Sequence, residues 1–296
     1  MKRLLLLLTG LVLFSGMQLM AQTSEDSTQT TDPSTWSGLD RIYTRQHIRD
    51  KKPLPYEHVR EADVMWSKVV WRMVDYREKM NQPLYYPTIA IGERMSLIAV
   101  LLEAIETGDL TAYMASIENI NEFKEPLTFE QVMTEFDAED QMQQYEDLET
   151  GQMIDTLVSG EVRSDEVLQL MVKEMWFFDK KRSVLDVRII GLCPIRVYYS
   201  PDDPENLRKK KLFWVKFDEA RPALAQREVF NTFNDSERRS YDEIFHKRYF
   251  DGYIVQEANV HNNRMIQEYT LGEQTLQEAE SIEEFIFRFE HDLWEF

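Results

Sequence analysis

A single cysteine, Cys193, stands in the 296 residues of the chain. It has no partner for an internal disulfide, and its neighbours Leu192, Pro194 and Ile195 point to a buried structural thiol. No histidine lies near it in sequence, and a reactive thiol needs an electropositive setting. Basic charge is also short, with 34 Lys and Arg against 53 Asp and Glu and a formal net charge of −19. Phosphate backbones and acidic lipid surfaces attract cations, so this balance excludes nucleic acid or an anionic membrane as the main partner. The usual catalytic signatures are missing too. There is no glycine-rich phosphate loop, His-Glu-x-x-His, Gly-x-Ser-x-Gly elbow, EF-hand spacing or paired-cysteine motif. The five histidines, His47, His58, His246, His261 and His291, show no metal-ligand spacing, so the sequence assigns no catalytic residue, metal or cofactor.

Long apolar runs are absent except at the start. Lys2 and Arg3 precede an apolar run over residues 4–14, and Leu19-Met20-Ala21 offers a small residue for cleavage. The run is about half of the roughly 20 residues a membrane-spanning helix needs. Residues 1–21 therefore read as a signal peptide for export, and because Gln22 rather than cysteine follows, no lipid is expected on the chain itself. An apolar content of 43% with 12% aromatic residues is globular composition.

Residues 22–40 are Ser, Thr, Gln and Asp with one Pro and read as a flexible leader. The next unit, 41–266, reads as an α+β globular region entered by an extended arm, because Pro53 and Pro55 hold the residues before them out of helical geometry. Val59, Ala62, Trp66, Val69, Met73 and Tyr76 recur every three or four residues, which predicts a helix over 59–80. A second helix is expected from Gly92 to Gly108, a short one from Asp109 through Tyr113 and Ile117, and another behind the Thr128-x-x-Gln131 capping box. The acidic, Gln-rich residues 135–149 read as a solvated face.

After Asp165 the period changes to two. Strands are expected over 167–178, 185–189, 195–199 and 213–217, with 179–182 as a charged hairpin turn and 201–206 as a longer connection. Helices return at 218–230, at 237–246 behind Asn234, and at the C-terminus behind Ser281, with 267–296 read as an acidic linker and a last helix. The class predicted is α+β: a helical N-terminal half, a short antiparallel meander and flanking C-terminal helices.

Several segments taken in order resemble the gliding-motility protein N family, GldN, also called PorN. They are Arg41 to Arg45, Pro53 to Trp66, Val70-Trp71-Arg72 through Glu78, Pro83 to Pro87, and Trp176 to Asp179 through Gly191. The resemblance implies a periplasmic subunit of the type IX secretion system of Bacteroidota, held at the inner face of the outer membrane by a lipoprotein partner, GldK/PorK. It further implies a multimeric ring with that partner, contact with the periplasmic domain of the motor subunit GldM/PorM, and no catalytic residues. Extended conformation and aromatic density make Arg41, Tyr43, Tyr56, Trp66 and Trp71 the candidate partner contacts. Two other classes stay open on residues alone: a periplasmic hydrolase whose carboxylates gather on folding, and a monomeric periplasmic carrier or chaperone.

Overall fold

The computed structural model describes residues 50–293 except 92–93, 116–121, 139–140, 147–152, 159–161, 201–202, 232–233, 235–236 and 261. The signal peptide, the leader, Arg41, Tyr43 and Ile117 lie outside the described residues. In chain order the elements are β1 Val64–Asp75, α1 Gln82–Tyr85, α2 Leu97–Glu106, β2 Ala112–Met114, β3 Pro126–Leu127, α3 Phe129–Glu135, β4 Gln141–Glu146, β5 Met153–Val158, β6 Val167–Asp179, β7 Val184–Ser200, β8 Asp203–Lys211, β9 Phe213–Lys216, α4 Phe217–Ala225, β10 Glu228–Val229, β11 Arg239–Ser240, α5 Tyr241–His246, β12 Tyr253–Glu257, α6 Ile266–Tyr269 and α7 Glu273–Asp292. The class is α+β, as expected. The arrangement is not: among the described residues the first long element is the strand β1, and the meander is the centre of an eight-stranded sheet.

That sheet runs β12-β1-β6-β7-β9-β2-β3, with β8 also on β7, and its pairings are antiparallel. The long β6 and β7 form its spine through a hairpin at 180–183, where Asp179 accepts from the backbone N–H of Lys181 at 2.9 Å. β7 joins the two strands expected at 185–189 and 195–199 into one of 17 residues. Its far edge is shared, with β9 on Gly191 and Leu192 and β8 on Ile195 to Ser200. The connection expected at 201–206 is therefore largely strand β8, rich in Lys and Arg and without the apolar alternation that reveals a buried strand.

The helix predicted over 59–80 is β1, paired from Val64 to Asp75 with β6. Its second half is buried on both faces, so apolar residues fill almost every position and fit a spacing of three and four by coincidence. Its β-branched and aromatic content favours a strand. Trp66, Lys68, Val70, Arg72 and Val74 share one face, and Val69, Trp71 and Met73 the other, by strand alternation.

The first face carries most of the core. Over Val74, Leu170, Val172, Leu192 and Val215 pack Leu97, Val100, Leu101 and Ala104 of α2, Phe217, Ala220 and Leu224 of α4, and Tyr241, Ile244 and Phe245 of α5. Further along the same face, Ala279, Ile282 and Ile286 of α7 seal Val70 and Ile254. On the opposite face Trp71, Met171, Cys193, Ile195 and Trp214 form a second core, closed from above by Phe123. Cys193 is fully buried there and its thiol is pushed up to about 12 by desolvation, in line with an inert structural role.

Caps follow local chemistry. Ser96 starts α2, and Gly108 follows it with φ +80, the left-handed geometry that glycine adopts most readily. Thr128 and Gln131 close both halves of the capping box at 3.4 and 2.9 Å. Tyr113, expected in a helix, pairs with Trp214 as part of β2. Ser240 caps α5, where Asn234 was expected to start a helix; the preceding residues form the β10–β11 ladder instead. α4 ends at Ala225, short of the expected Phe230. The expected linker at 267–280 holds the end of α6 and the start of α7, whose N-cap is Gly272 and not Ser281. Of residues 135–149, the described 141–146 form β4.

Candidate interaction surfaces

The arm is bound to its own chain over the described residues. Lys51 pairs with Glu243 of α5, the Leu54 carbonyl accepts from Arg221 Nη2 at 2.5 Å, and the Glu57 carbonyl accepts from Arg188. It passes the first half of β7, which β8 and β9 leave unpaired. Tyr56 sits between two guanidinium groups, Arg221 at 4.2 Å and Arg188 at 5.0 Å from its ring centroid, with His246 beside it at 5.7 Å. Burial raises its pKa, against the lowering effect of Arg221. Arg221 is itself buried and held by Asp242 at 2.8 Å. Tyr56, predicted as a partner contact, thus anchors the arm to α4 and α5. Beneath it lies a polar groove of about 670 Å³ lined by Arg182, Arg188, Lys247 and Arg248 together with Glu57 and Asp186.

Trp71 is interior. At 1% exposure it donates its indole N–H to Glu122 Oε1 at 2.7 Å, while Lys173 lies over its ring at 4.8 Å and pairs with the same carboxylate. In this fold Trp71 offers no surface to a partner. Trp66 is half-buried: it stacks on Phe289 of α7 at 4.4 Å and stands 6.4 Å from Phe285. Beside it Phe285 of α7 is 51% exposed, whereas Phe287, 65% exposed, lies about 200° further round the helix, on the flank that also carries exposed Leu276. Lys68 lies over the Phe285 ring at 4.7 Å. The structure therefore keeps Trp66 near an accessible aromatic surface, and separates it from Trp71, which sits on the other face of the same strand.

Between the two halves of the first face lies a charged seam that the sequence reading missed. Glu174 of β6 is fully buried and meets Arg72 Nε at 3.5 Å, Arg248 Nη1 at 3.0 Å and the Trp176 indole N–H at 3.2 Å. Arg72 reaches on to the Gly252 carbonyl at 2.5 Å and to Glu283 of α7 at 3.0 Å. Arg248 adopts φ 54 just beyond α5, a left-handed position that glycine usually fills. The side chain kept there serves Glu174. The signal available in sequence was the Lys173-Glu174 pair inside an otherwise apolar strand, since buried charges persist where they are matched.

The other buried carboxylates are matched in the same way. Asp75 accepts from Arg77 Nη2 at 2.5 Å and from Gln169 at 3.1 Å, and the Arg77 hydrogen bond lowers its pKa to about 2. Asp179 is lowered by its bond to Arg182. A general acid needs the opposite shift. Among the described residues no group of three or more His, Cys, Asp or Glu is placed to hold a metal ion, and no helix is long and apolar enough to cross a membrane.

The sequence profile described as gliding motility associated protein GldN matches residues 59–295, which takes in the sheet, the seam and α7. The chain belongs to the GldN family. That places it among components associated with gliding motility and type IX secretion, a structural family and not a known family of enzymes. No curated protein matches the chain.

Proposed function

We propose that this GldN-family chain is a non-enzymatic periplasmic adaptor subunit of the type IX secretion machine, assembling with the outer-membrane lipoprotein GldK/PorK into a ring and contacting the motor subunit GldM/PorM. The observation that carries the proposal is the family match over residues 59–295. Three features support it. Buried carboxylates are neutralised by arginines, which suits a rigid body better than a carboxylate-based hydrolase. The arm is tied to α5 by Lys51–Glu243 and α7 to β1 by Arg72–Glu283, a construction suited to carrying load between partners. The formal charge of −19 discourages unspecific self-association and leaves assembly to specific contacts.

The partner surface we assign is the aromatic patch of Trp66 and Phe285, where α7 meets β1, because large accessible aromatics are typical anchors at interfaces. Co-purification of the chain from Gln22 onward with the soluble domain of the lipoprotein tests the proposal. Complex formation should survive Tyr56→Ala and Phe287→Ser, on the far side of the helix, and fall at least tenfold with Phe285→Ser. Equal capture of all variants would refute the assigned surface, and no capture of the unaltered chain would refute the adaptor reading.

A further inference from the structure

The core on the Trp71 face does not close completely. Trp71, Tyr113 and Trp214 fill its closed part, and beside them lies a cavity of about 490 Å³. Among the described residues three methionines belong to this core, Met73, Met171 and Met265, and all three line the cavity. No Asp, Glu, His or Cys shares the described lining.

Strand pairing brings the sulfurs together. Met73 of β1 stands directly opposite Met171 of β6, and Met171 opposite Cys193 of β7, so three sulfur side chains form a row across adjacent strands. Side chains so placed have Cβ atoms about 4.5–5.5 Å apart, which leaves flexible thioethers within reach of one another. Met265 comes from the segment bridged to Gln256 of β12. Its Sδ accepts from the Gln267 amide at 3.4 Å, and Gln267 also lines the cavity, so the sulfur of Met265 is turned to the wall. Cys193 lies behind the wall, where desolvation keeps its thiol protonated.

Charge around the cavity is balanced. Lys209 is exposed, where its ammonium stays in water. Lys211 faces Glu122 and Glu268, whose charges act against the desolvation that lowers its pKa. An anion therefore finds no unanswered cation. A hard divalent ion needs oxygen ligands, and no carboxylate stands in the described wall. What the wall offers is thioether sulfur, a neutral, soft donor that selects copper(I). A monovalent ion also brings the least charge into apolar surroundings.

We propose that Met73, Met171 and Met265 bind one copper(I) ion in this cavity through their thioether sulfurs. The site is independent of the adaptor reading, and its test needs no partner protein.

The test is anaerobic competition for copper(I) between the chain from Gln22 onward and bicinchoninate, read by the absorbance of the copper–bicinchoninate complex. The expected result is one ion held per chain. Met73→Leu with Met265→Leu nearly conserves volume and should weaken copper(I) at least tenfold. Met65→Leu, at an exposed methionine, and Cys193→Ala should each leave the affinity within threefold. Near-UV circular dichroism identifies the variants that keep the native fold. X-ray absorption of the copper-loaded unaltered chain should show sulfur alone as the nearest scatterer, a readout that needs no variant. Failure of the unaltered chain to retain copper against bicinchoninate would overturn the proposal, as would affinity indifferent to the paired methionine changes in a natively folded variant. Loss of the ion in natively folded Cys193→Ala would assign it to the thiol, and nitrogen or oxygen scatterers would assign it to histidines or carboxylates; either result overturns the thioether site.

Discussion

Replacing Glu174 by alanine removes the carboxylate that, among the described residues, pairs with Arg248 and shares Arg72. The carboxylate is fully buried, and the Arg72 side chain is 7% exposed, so water cannot take its place. Arg72 retains Glu283 and the Gly252 carbonyl, whereas Arg248, whose side chain is 28% exposed, loses its pair with Glu174 while held at φ 54. Breaking a fully buried pair by deleting one member costs about 3–5 kcal/mol, and the partial exposure of Arg248 puts this loss at the lower end, about 3 kcal/mol. For a body of this size that corresponds to a fall in Tm of roughly 6–12 °C. The exposed Arg288–Glu284 pair on α7 is the control, and Glu284→Ala should cost less than about 1 kcal/mol. Urea unfolding followed by circular dichroism reads both. Glu174→Ala and Arg248→Met should combine to a loss at least 1 kcal/mol smaller than the sum of the single losses, because they remove one interaction. A Glu174→Ala loss no larger than that of Glu284→Ala, or strict additivity with Arg248→Met, would refute the claim that this seam holds the sheet to its surroundings.

Arg248→Gly should destabilise although glycine suits its backbone, since the relief of about 1 kcal/mol is smaller than the lost pair; equilibrium unfolding checks the sign. A Cβ on Gly252 would stand 2.4 Å from the Met73 carbonyl, so Gly252→Ala should cost roughly 1–3 kcal/mol, and a neutral result would show that the 248–252 turn yields easily. Asp75 has a folded pKa of about 2, below its unfolded value near 4, so its stabilisation is present above pH 4 and lost as pH falls from about 4 to 2. Asp75→Asn should therefore reduce the loss of stability over that window by up to about 2 kcal/mol, less for screening at the exposed Arg77, which acid titration of the unfolding midpoint will show. Cys193 should resist a thiol reagent at pH 8 in the native state and react fully in denaturant, and rapid native labelling would contradict its burial.

β7 was legible as two strands because Leu185, Val187 and Ile189, and then Ile195, Val197 and Tyr199, alternate with their neighbours, and the charged turn at 179–182 marked the hairpin to β6. α2 starts behind Ser96 and not at the expected Gly92, but its Gly108 stop and the Thr128 capping box of α3 were legible from local chemistry. β1 was not, because covering both faces of a strand erases the period of two and leaves composition as the guide. β8 was hidden for the opposite reason: an edge strand rich in Lys and Arg carries little apolar pattern. α7 reads as a linker at its start because Ala279, Ile282 and Ile286 are its buried residues among many Glu and Gln, and such a narrow stripe becomes visible only against β12.

At the candidate sites the lesson is about sides. Trp66 and Trp71 looked like neighbours on a helix, but strand alternation sends them to opposite faces, one against α7 and one into a core. Glu174, Arg248 and Glu283 are far apart in sequence and meet only through the pairing of β1 with β6 and the packing of α7. No local motif announces such a cluster.

The central claim is that this chain is a working part of an assembly. Size exclusion with light scattering, on the chain from Gln22 onward with and without the soluble domain of the GldK/PorK lipoprotein, tests it most directly. The account predicts a stable complex whose mass exceeds a one-to-one pair, and a chain of the same fold when alone. A monodisperse monomer of unchanged mass in the presence of the lipoprotein domain would contradict it.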